Sequence, residues 1–396
     1  MRFILSYQNV FDYLISHGVI TQEEKLLSNI ERKSGKNFNL LISLPNERLL
    51  LIKQESLNTE AKIKGELFAE WQVRDFLQKF PEVRHLRSSF SEAIHFDAEN
   101  SIIVFNYLND YRDLANFYDT ENSFPTEIAR AVGTTLASIH RLTLDRQEYR
   151  EFFQNIQNGL SQKPPNLARG LDRISPAIFG AMPADGLKFF TLYQRYDQLG
   201  KAIADLNTAF TPCCLTHNDL KLNNILLSLN WEAAVYQESG ERIIRLIDWE
   251  RGAWGDPAND LGALIASYLQ IWLYSIVASK AIAIEDSLRL ATTPLQLLQP
   301  SIAALASAYL AHFPEILELR PDFLQLVVQF AGLALIRSIQ AKLQHEKTFA
   351  NSGICILQVA KSLLCRPEAS ISTVFGMEAS DLTPTSLSPA YTNFGF

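Results

Sequence analysis

Ten residues past the middle of the chain hold the side chains best suited to chemistry: His217-Asn218-Asp219-Leu220-Lys221-Leu222-Asn223-Asn224-Ile225-Leu226. Twenty-four residues beyond Asp219 an apolar run begins, Ile243-Ile244-Arg245-Leu246-Ile247, and it ends in Asp248. Gly255-Asp256-Pro257-Ala258-Asn259-Asp260-Leu261 follows. Transfer of a γ-phosphoryl group needs the phosphate charge neutralised and a hydroxyl held in line with the bond that breaks. An Asp carboxylate and an Asn carbonyl are hard oxygen ligands that suit Mg²⁺, and Asp248 and Asn224 supply them. A separate carboxylate, Asp219, can accept the proton of the attacking hydroxyl. Lys221 can reach the transferring phosphate as a point charge.

The string from His217 to Asn224 has the form H-x-D-L-x-x-x-N, a kinase catalytic-loop pattern. With L-I-D-W-E (Leu246–Glu250) and G-D-P-A-N-D-L (Gly255–Leu261), it resembles the aminoglycoside phosphotransferase and choline kinase group of the protein-kinase-like superfamily. Eukaryotic protein kinases would show D-F-G and A-P-E instead. The segment Ala131–His140 is similar to the group's first helix of the large lobe. The resemblance implies an α+β, bilobal protein-kinase-like fold, with a small β-rich N-lobe and a large, mainly helical C-lobe. It implies that His217 props the loop and that Asp260 is a structural brace for it, opening a buried helix.

The same resemblance asks the small lobe for a lysine on the third strand and a glutamate on the next helix. Leu49-Leu50-Leu51-Ile52-Lys53 fits the first, and strand alternation puts Lys53 on one face with Leu49 and Leu51. Glu66 and Glu70 lie four apart on one helix face, and Glu70 matches the group's pattern better, with Glu66 as the alternative. No G-x-G-x-x-G exists. The reduced phosphate loop is Ser34-Gly35-Lys36-Asn37, with Ser34, Gly35 and Asn37 as contacts. Backbone groups of Asn106, Tyr107 and Leu108, after the strand Ile102–Phe105, are implied to meet the base.

The elements that must position these residues are legible in outline. Residues 8–31 read as helical, with a cap-like Thr21-Gln22-Glu23-Glu24. Phe38–Leu44 and Arg48–Gln54 flank Pro45-Asn46 as a hairpin, and a helix spans Lys62–Lys79 up to Pro81. Strands follow near Ala93–Phe96 and Ser101–Leu108. Pro125–Leu142 and Leu187–Thr208 read as helices, Ile225–Leu229 and Arg242–Ile247 as strands, and nearly everything from Asp260 to Cys365 as helix. Residues 161–186 read as surface loop. Between the two strands, Trp231 and Tyr236 either pack on the lobe or meet a partner. The expected division is an N-lobe at 1–105, a C-lobe at 106–368 and a weakly ordered Ser/Thr/Pro-rich tail at 369–396.

Composition narrows the class. The chain has 396 residues, 47% hydrophobic and 20% charged, a globular mix. A net charge of −7 argues against a nucleic-acid partner. Four cysteines without zinc or C-x-x-C spacing read as free thiols of a cytoplasmic protein. The apolar start is too short for a signal peptide. Leu261–Ser279, nineteen uncharged residues, is long enough to span a bilayer, but its place after Asp260 reads as lobe core rather than membrane. The other six histidines make no metal spacing.

The expected function is phosphoryl transfer from ATP (or GTP), with Mg²⁺, to an alcohol on a small molecule such as an aminoglycoside, choline-like amine, sugar or amino alcohol. Two alternatives remain. One is a Ser/Thr kinase subunit acting on a ribosomal precursor peptide with a partner lyase, and the other a catalytically silent scaffold.

Overall fold

The protein is described from a computed structural model at residues 2–56, 65–156, 167, 171, 184–236, 243–276, 286 and 289–383. Most of the 161–186 loop, the Ser239-Gly240 turn, the first residues of the expected 62–79 helix, Ser279 and the chain past 383 lie outside these. Two compact units emerge, 1–120 with 223–253, and 121–222 with 254–396. The sequence places a boundary near residue 105. The first compact unit spans 1–120 and includes the segment that holds Asn224 and Asp248.

The first unit is built on a five-stranded antiparallel sheet: β1 (Asn29–Lys33), β2 (Phe38–Ser43), β3 (Leu49–Gln54), β4 (Glu92–Asp97) and β5 (Ile102–Asn106). Its order is β1-β2-β3-β5-β4. The lead-in is not one helical stretch. Helices Val10–Ser16 and Gln22–Leu26 end before Asn29, where β1 pairs with β2. Thr21 and Glu24 do form the expected capping box. The β2–β3 hairpin closes on a turn from Pro45 to Arg48 whose central residues, Asn46 and Glu47, have φ of 61° and 60°. Paired left-handed residues match the strand twist, and Asn adopts that conformation readily.

Alternation along β3 decides what each face does. Leu50 and Ile52 join Leu40, Ile42, Ile102 and Val104 against Val10, Tyr13 and Leu14 of the first helix. On the opposite face Leu51, Ile103 and Phe105 pack with Leu67 and Trp71 of the helix Glu66–Lys79. Lys53 shares that second face, so the helix and the lysine meet by the period-two rule. A separate three-stranded antiparallel sheet is made by Tyr111–Asp113, Ile225–Ser228 and Ile244–Leu246. Trp231 opens a short helix and stands edge-on to Phe117 at 6.1 Å, so it packs within the unit.

The second unit is helical. Thr126–Thr143, Pro257–Tyr274, Leu295–His312, Phe323–His345 and Asn351–Cys365 are its long members. Two glycines allow close helix crossings. A Cβ at Gly133 would lie 2.3 Å from the carbonyl oxygen of Leu305, and one at Gly262 2.6 Å from that of Val327. Because backbone cannot yield as a side chain tip does, Gly262→Ala is expected to cost about 1–3 kcal/mol, read as a shift in the urea midpoint.

Two expectations are corrected here. Residues 187–208 form two helices, Ala184–Gln194 and Asp197–Ala209, rather than one. The segment from Ala369 is not a weakly ordered tail as far as it is described: helix Pro367–Phe375 buries Ile371, Val374 and Phe375 and ends on Gly376 at φ 71°, and Leu382 is buried further on. Pro at the helix start and Gly just past its end are the expected punctuation. Among the described residues one helix, Phe323–His345, is long and apolar enough to cross a membrane, and 67% of its apolar 18-residue window is buried within the protein.

Candidate active site

In the first unit the residues converge on Lys53. Its Nζ lies 3.8 Å from Glu70 Oε2 and donates directly to Asp248 Oδ1. Glu70 is buried by the helix face that carries Leu67, Val73 and Phe76, and one turn earlier Glu66 pairs with Lys36 instead. The structure thus pairs the third-strand lysine with Glu70 and not with the alternative. Burial alone would pull the Lys53 ammonium down, but Glu70, Asp248 and Glu250 outweigh it and hold the group above its ordinary range. Burial pushes Glu70 up, and Lys53 opposes this only in part because Asp248 and Glu250 add to it.

Asp248 and Asn224 come together through the strand pair. Ile225 pairs with Leu246, and beyond that rung Ile247 N–H donates to Asn224 O at 3.0 Å. Asn224 and Asp248 therefore sit at one end of the two strands. Asp248 adopts φ 61°, a left-handed turn that Asp tolerates, directly after the strand. Trp249 behind it is buried, stacks on Phe90 at 4.6 Å and donates to Leu246 O, which fixes the turn.

Lys53, Glu70 and Asp248 line a cavity of about 450 Å³ whose walls include Leu51, Phe105 and Leu226. Asn106, Tyr107 and Leu108 form another side. Of these three, Tyr107 donates its N–H to Leu49 O at 2.9 Å, so that donor is spent inside the sheet. Leu108 N–H makes no hydrogen bond among the described residues.

Ser34, Gly35 and Asn37 lie in the turn between β1 and β2, and none of them lines this cavity. The residue of that turn which reaches the charged cluster is Lys36, bonded to Glu66 and 3.7 Å from Glu250. Neither Lys36 nor Glu250 was singled out by the sequence reading. Burial raises Glu250, Lys36 opposes, and Glu66 and Asp248 push further up. The available signal was the charge pattern itself, one lysine in the turn and a second acid two residues after Asp248.

In the second unit the catalytic-loop string is gripped by Asp260. This carboxylate is fully buried, and its two oxygens accept the backbone N–H groups of His217 at 2.6 Å and Asn218 at 2.8 Å. His140 Nε2 lies 3.4 Å from Asp260, and His140 Nδ1 lies 2.8 Å from the Tyr309 hydroxyl. A carboxylate only accepts, so Nε2 donates to Asp260, and Nδ1 shares a hydrogen bond with the Tyr309 hydroxyl. Asn218 turns at φ 60°, and Gly255 is pressed so close to Thr216 that a Cβ would fall 2.1 Å from its hydroxyl. The loop ends with Lys221 Nζ 3.1 Å from Asp219 Oδ2. Asp256, also fully buried, caps the next helix through Ala258 N–H and pairs with Arg320 at 2.7 Å.

Asp260→Asn leaves one oxygen and sets an amide where two backbone donors converge. A loss of about 2–4 kcal/mol is expected from the unsatisfied buried groups, checked by denaturant midpoints and by protease sensitivity of residues 217–224.

All four cysteines are free thiols, and among the described residues no group of three or more His, Cys, Asp or Glu is placed to hold a metal alone. Mg²⁺ does not require such a cage, since it is commonly held by one or two protein oxygens and substrate phosphates.

A model of the phosphotransferase enzyme family known as APH matches residues 71–283, from just after Glu70 through both catalytic strings and Asp260. No curated protein matches. Similar solved structures include the choline kinase LicA from Streptococcus pneumoniae, 17% identical over 91% of this chain and 99% of that one, with a TM-score of 0.44. A choline/ethanolamine kinase family protein from Mesorhizobium loti is 16% identical over 93% of this chain and 99% of that one, with a TM-score of 0.46. The macrolide 2'-phosphotransferase MphH from Brachybacterium faecium is 16% identical over 91% and 99%, at 0.41. At such scores these likenesses add no weight to the assignment. The family match spans more than half of the 396 residues and contains the strings of Asp219, Asn224, Asp248 and Asp260, and on that ground this chain belongs to the APH family of phosphotransferase enzymes.

Proposed function

We propose that the chain moves the γ-phosphoryl group of ATP (or GTP) to an alcohol of a small molecule, with Mg²⁺ as the required ion. The observation that carries this reading is Lys53, held between Glu70 and Asp248 at the wall of a cavity of about 450 Å³. A largely buried ammonium with two carboxylates at the edge of a space of that size is suited to grip the phosphates of a nucleotide.

The base sits against Leu51, Phe105 and Leu226, and its hydrogen-bonding edge takes the N–H of Leu108. Lys53 clamps the α/β-phosphates and Glu70 keeps its ammonium pointed there. Asp248 and the Asn224 side-chain carbonyl fit Mg²⁺. Four acids, Glu66, Glu70, Asp248 and Glu250, surround two lysines, and the Glu70 Oε2 atom is buried without a hydrogen-bond donor. Such an acid excess would repel a bare triphosphate, and a divalent cation reverses that. When bound, the ion supplies charge neutralisation on the phosphates. Asp219, five residues before Asn224, takes the proton of the acceptor hydroxyl as its oxygen bonds to phosphorus and ADP departs. Lys221, beside Asp219, steadies the transferring group.

Lys36 is the cation of the phosphate turn and pairs with Glu66 and Glu250. Lys36→Ala should raise the KM for ATP about 3–10-fold and leave kcat within about twofold, with little loss of stability because the residue is half exposed. A fall in kcat at unchanged KM would contradict this role.

Phosphorus NMR of the purified chain with Mg²⁺–ATP and a panel of aminoglycosides, amino alcohols and sugars tests the reading. A new phosphomonoester with one of them supports it. Transfer only to a peptide supplied with a partner protein, or nucleotide binding without transfer to any hydroxyl, would overturn the acceptor class or the activity in turn.

A further inference from the structure

Along the helix Glu66–Lys79, bordered by the same Glu70 that faces Lys53, lies a second cavity, larger than the first at about 590 Å³. Both figures fall within the range of about 300–1,000 Å³ usual for small-ligand sites. Its floor is apolar, from Val73, Leu77, Phe90 and Trp249. Its charged lining is four arginines, Arg74, Arg84, Arg87 and Arg245, against the acids Glu70 and Glu92.

The arginines are not equivalent. Arg74 is tied to Ala93 O and Gln78, and Arg245 to Glu92 and Phe90 O. Arg245 is largely buried, yet among the described residues its Nε is without a hydrogen-bond partner. Arg84 has one long contact, to Gln78 O at 3.5 Å, and the Arg87 guanidinium has no hydrogen bond or ion pair among the described residues. Both are exposed. Two uncommitted guanidinium groups beside an apolar, tryptophan-backed floor suit a carboxylate, phosphate or sulfonate carried on a hydrophobic body.

We infer that this cavity is a second ligand site, separate from the nucleotide site, for a small organic anion with an aromatic or apolar body. The two cavities share the wall made by Glu70, Ser91, Glu92 and Asn106. The Ser91 hydroxyl donates to Glu70 Oε1 at 3.4 Å, and Glu70 Oε2 faces Lys53. A molecule packed on Val73 and Leu77 braces the helix that carries Glu70, and so holds Glu70 on Lys53. Occupancy of the second cavity therefore tightens nucleotide binding, and by linkage nucleotide tightens the second ligand by the same factor.

The probe is 8-anilinonaphthalene-1-sulfonate, an aromatic sulfonate whose fluorescence rises in apolar sites, titrated into the full chain. One saturable site is expected, retained when a non-hydrolysable ATP analogue and Mg²⁺ fill the nucleotide pocket. Arg84→Glu with Arg87→Glu should weaken it about tenfold or more. Ser88→Trp, an exposed lining residue grown into the opening, should block it independently should the charge reversals harm folding. The sulfonate should lower the Kd of the ATP analogue about fivefold, with the reciprocal effect equal. Binding indifferent to both variants, or displaced competitively by the ATP analogue, would overturn the site, and binding without reciprocal coupling would overturn its action on Glu70. The titration without nucleotide reads the cavity alone, so its failure is distinct from failure of the phosphoryl-transfer reading.

Discussion

Asp219→Asn is expected to reduce turnover about 10³-fold while the ATP analogue still binds with Mg²⁺ to within about twofold of wild type. The amide keeps the size and hydrogen-bonding reach of the side chain but cannot take a proton. Asp219 is not among the ion-pair partners of Lys53, so the nucleotide contacts proposed for Leu108, Lys53 and Asp248 should persist. Its near partner is Lys221, 3.1 Å away and half exposed, so losing that pair costs little stability. Single-turnover kinetics with calorimetric titration of the nucleotide separate the two effects. Unchanged turnover would remove Asp219 from the base role, and lost nucleotide binding would show that it supports the pocket instead.

Asp248→Asn should also depress turnover about 10³-fold, by a different route. This carboxylate bonds to Lys53, and on the proposed reading it would turn to Mg²⁺ when nucleotide binds. The variant loses a negative charge beside the phosphates, so metal-free ATP should bind as tightly as to wild type or tighter. The gain that Mg²⁺ brings to ATP affinity should vanish. Calorimetry with and without Mg²⁺ reads this directly. A variant that keeps the full Mg²⁺ gain would place the ion elsewhere. Lys53 retains Glu70 as a partner, so no global unfolding is expected.

The parts legible in the sequence were those fixed by local rules. The alternation of Leu49 to Lys53 and the hairpin around Pro45-Asn46 follow from strand periodicity and turn chemistry, and the structure pairs Phe38 with Gln54 in register. The string from His217 to Asn224 with Leu246–Glu250 was readable because each position carries a distinct chemical demand. β1 was missed because Asn29-Ile30-Glu31-Arg32-Lys33 is charged and solvated, an edge strand held by β2 rather than by its own pattern. The helix Pro367–Phe375 was missed because Ser and Thr signal disorder by composition, while three buried side chains decide otherwise.

The site residues missed were those defined by distant partners. Lys36 and Glu250 are far apart in the chain and meet only once the sheet and the Asp248 turn are built. Tyr309 and His140, hydrogen-bonded behind Asp260, are similarly nonlocal. The spent N–H of Tyr107 follows from β3 pairing with β5, which no hinge pattern states.

A crystal structure of the chain with Mg²⁺ and a non-hydrolysable ATP analogue is the most direct measurement. The expected result is Mg²⁺ on the Asp248 carboxylate and the Asn224 carbonyl, Lys53 on the α/β-phosphates, and the Asp219 carboxylate facing the γ-phosphate across room for one hydroxyl. A triphosphate bound away from Lys53 and Asp248, or an Asp219 carboxylate remote from the γ-phosphate, would contradict the account.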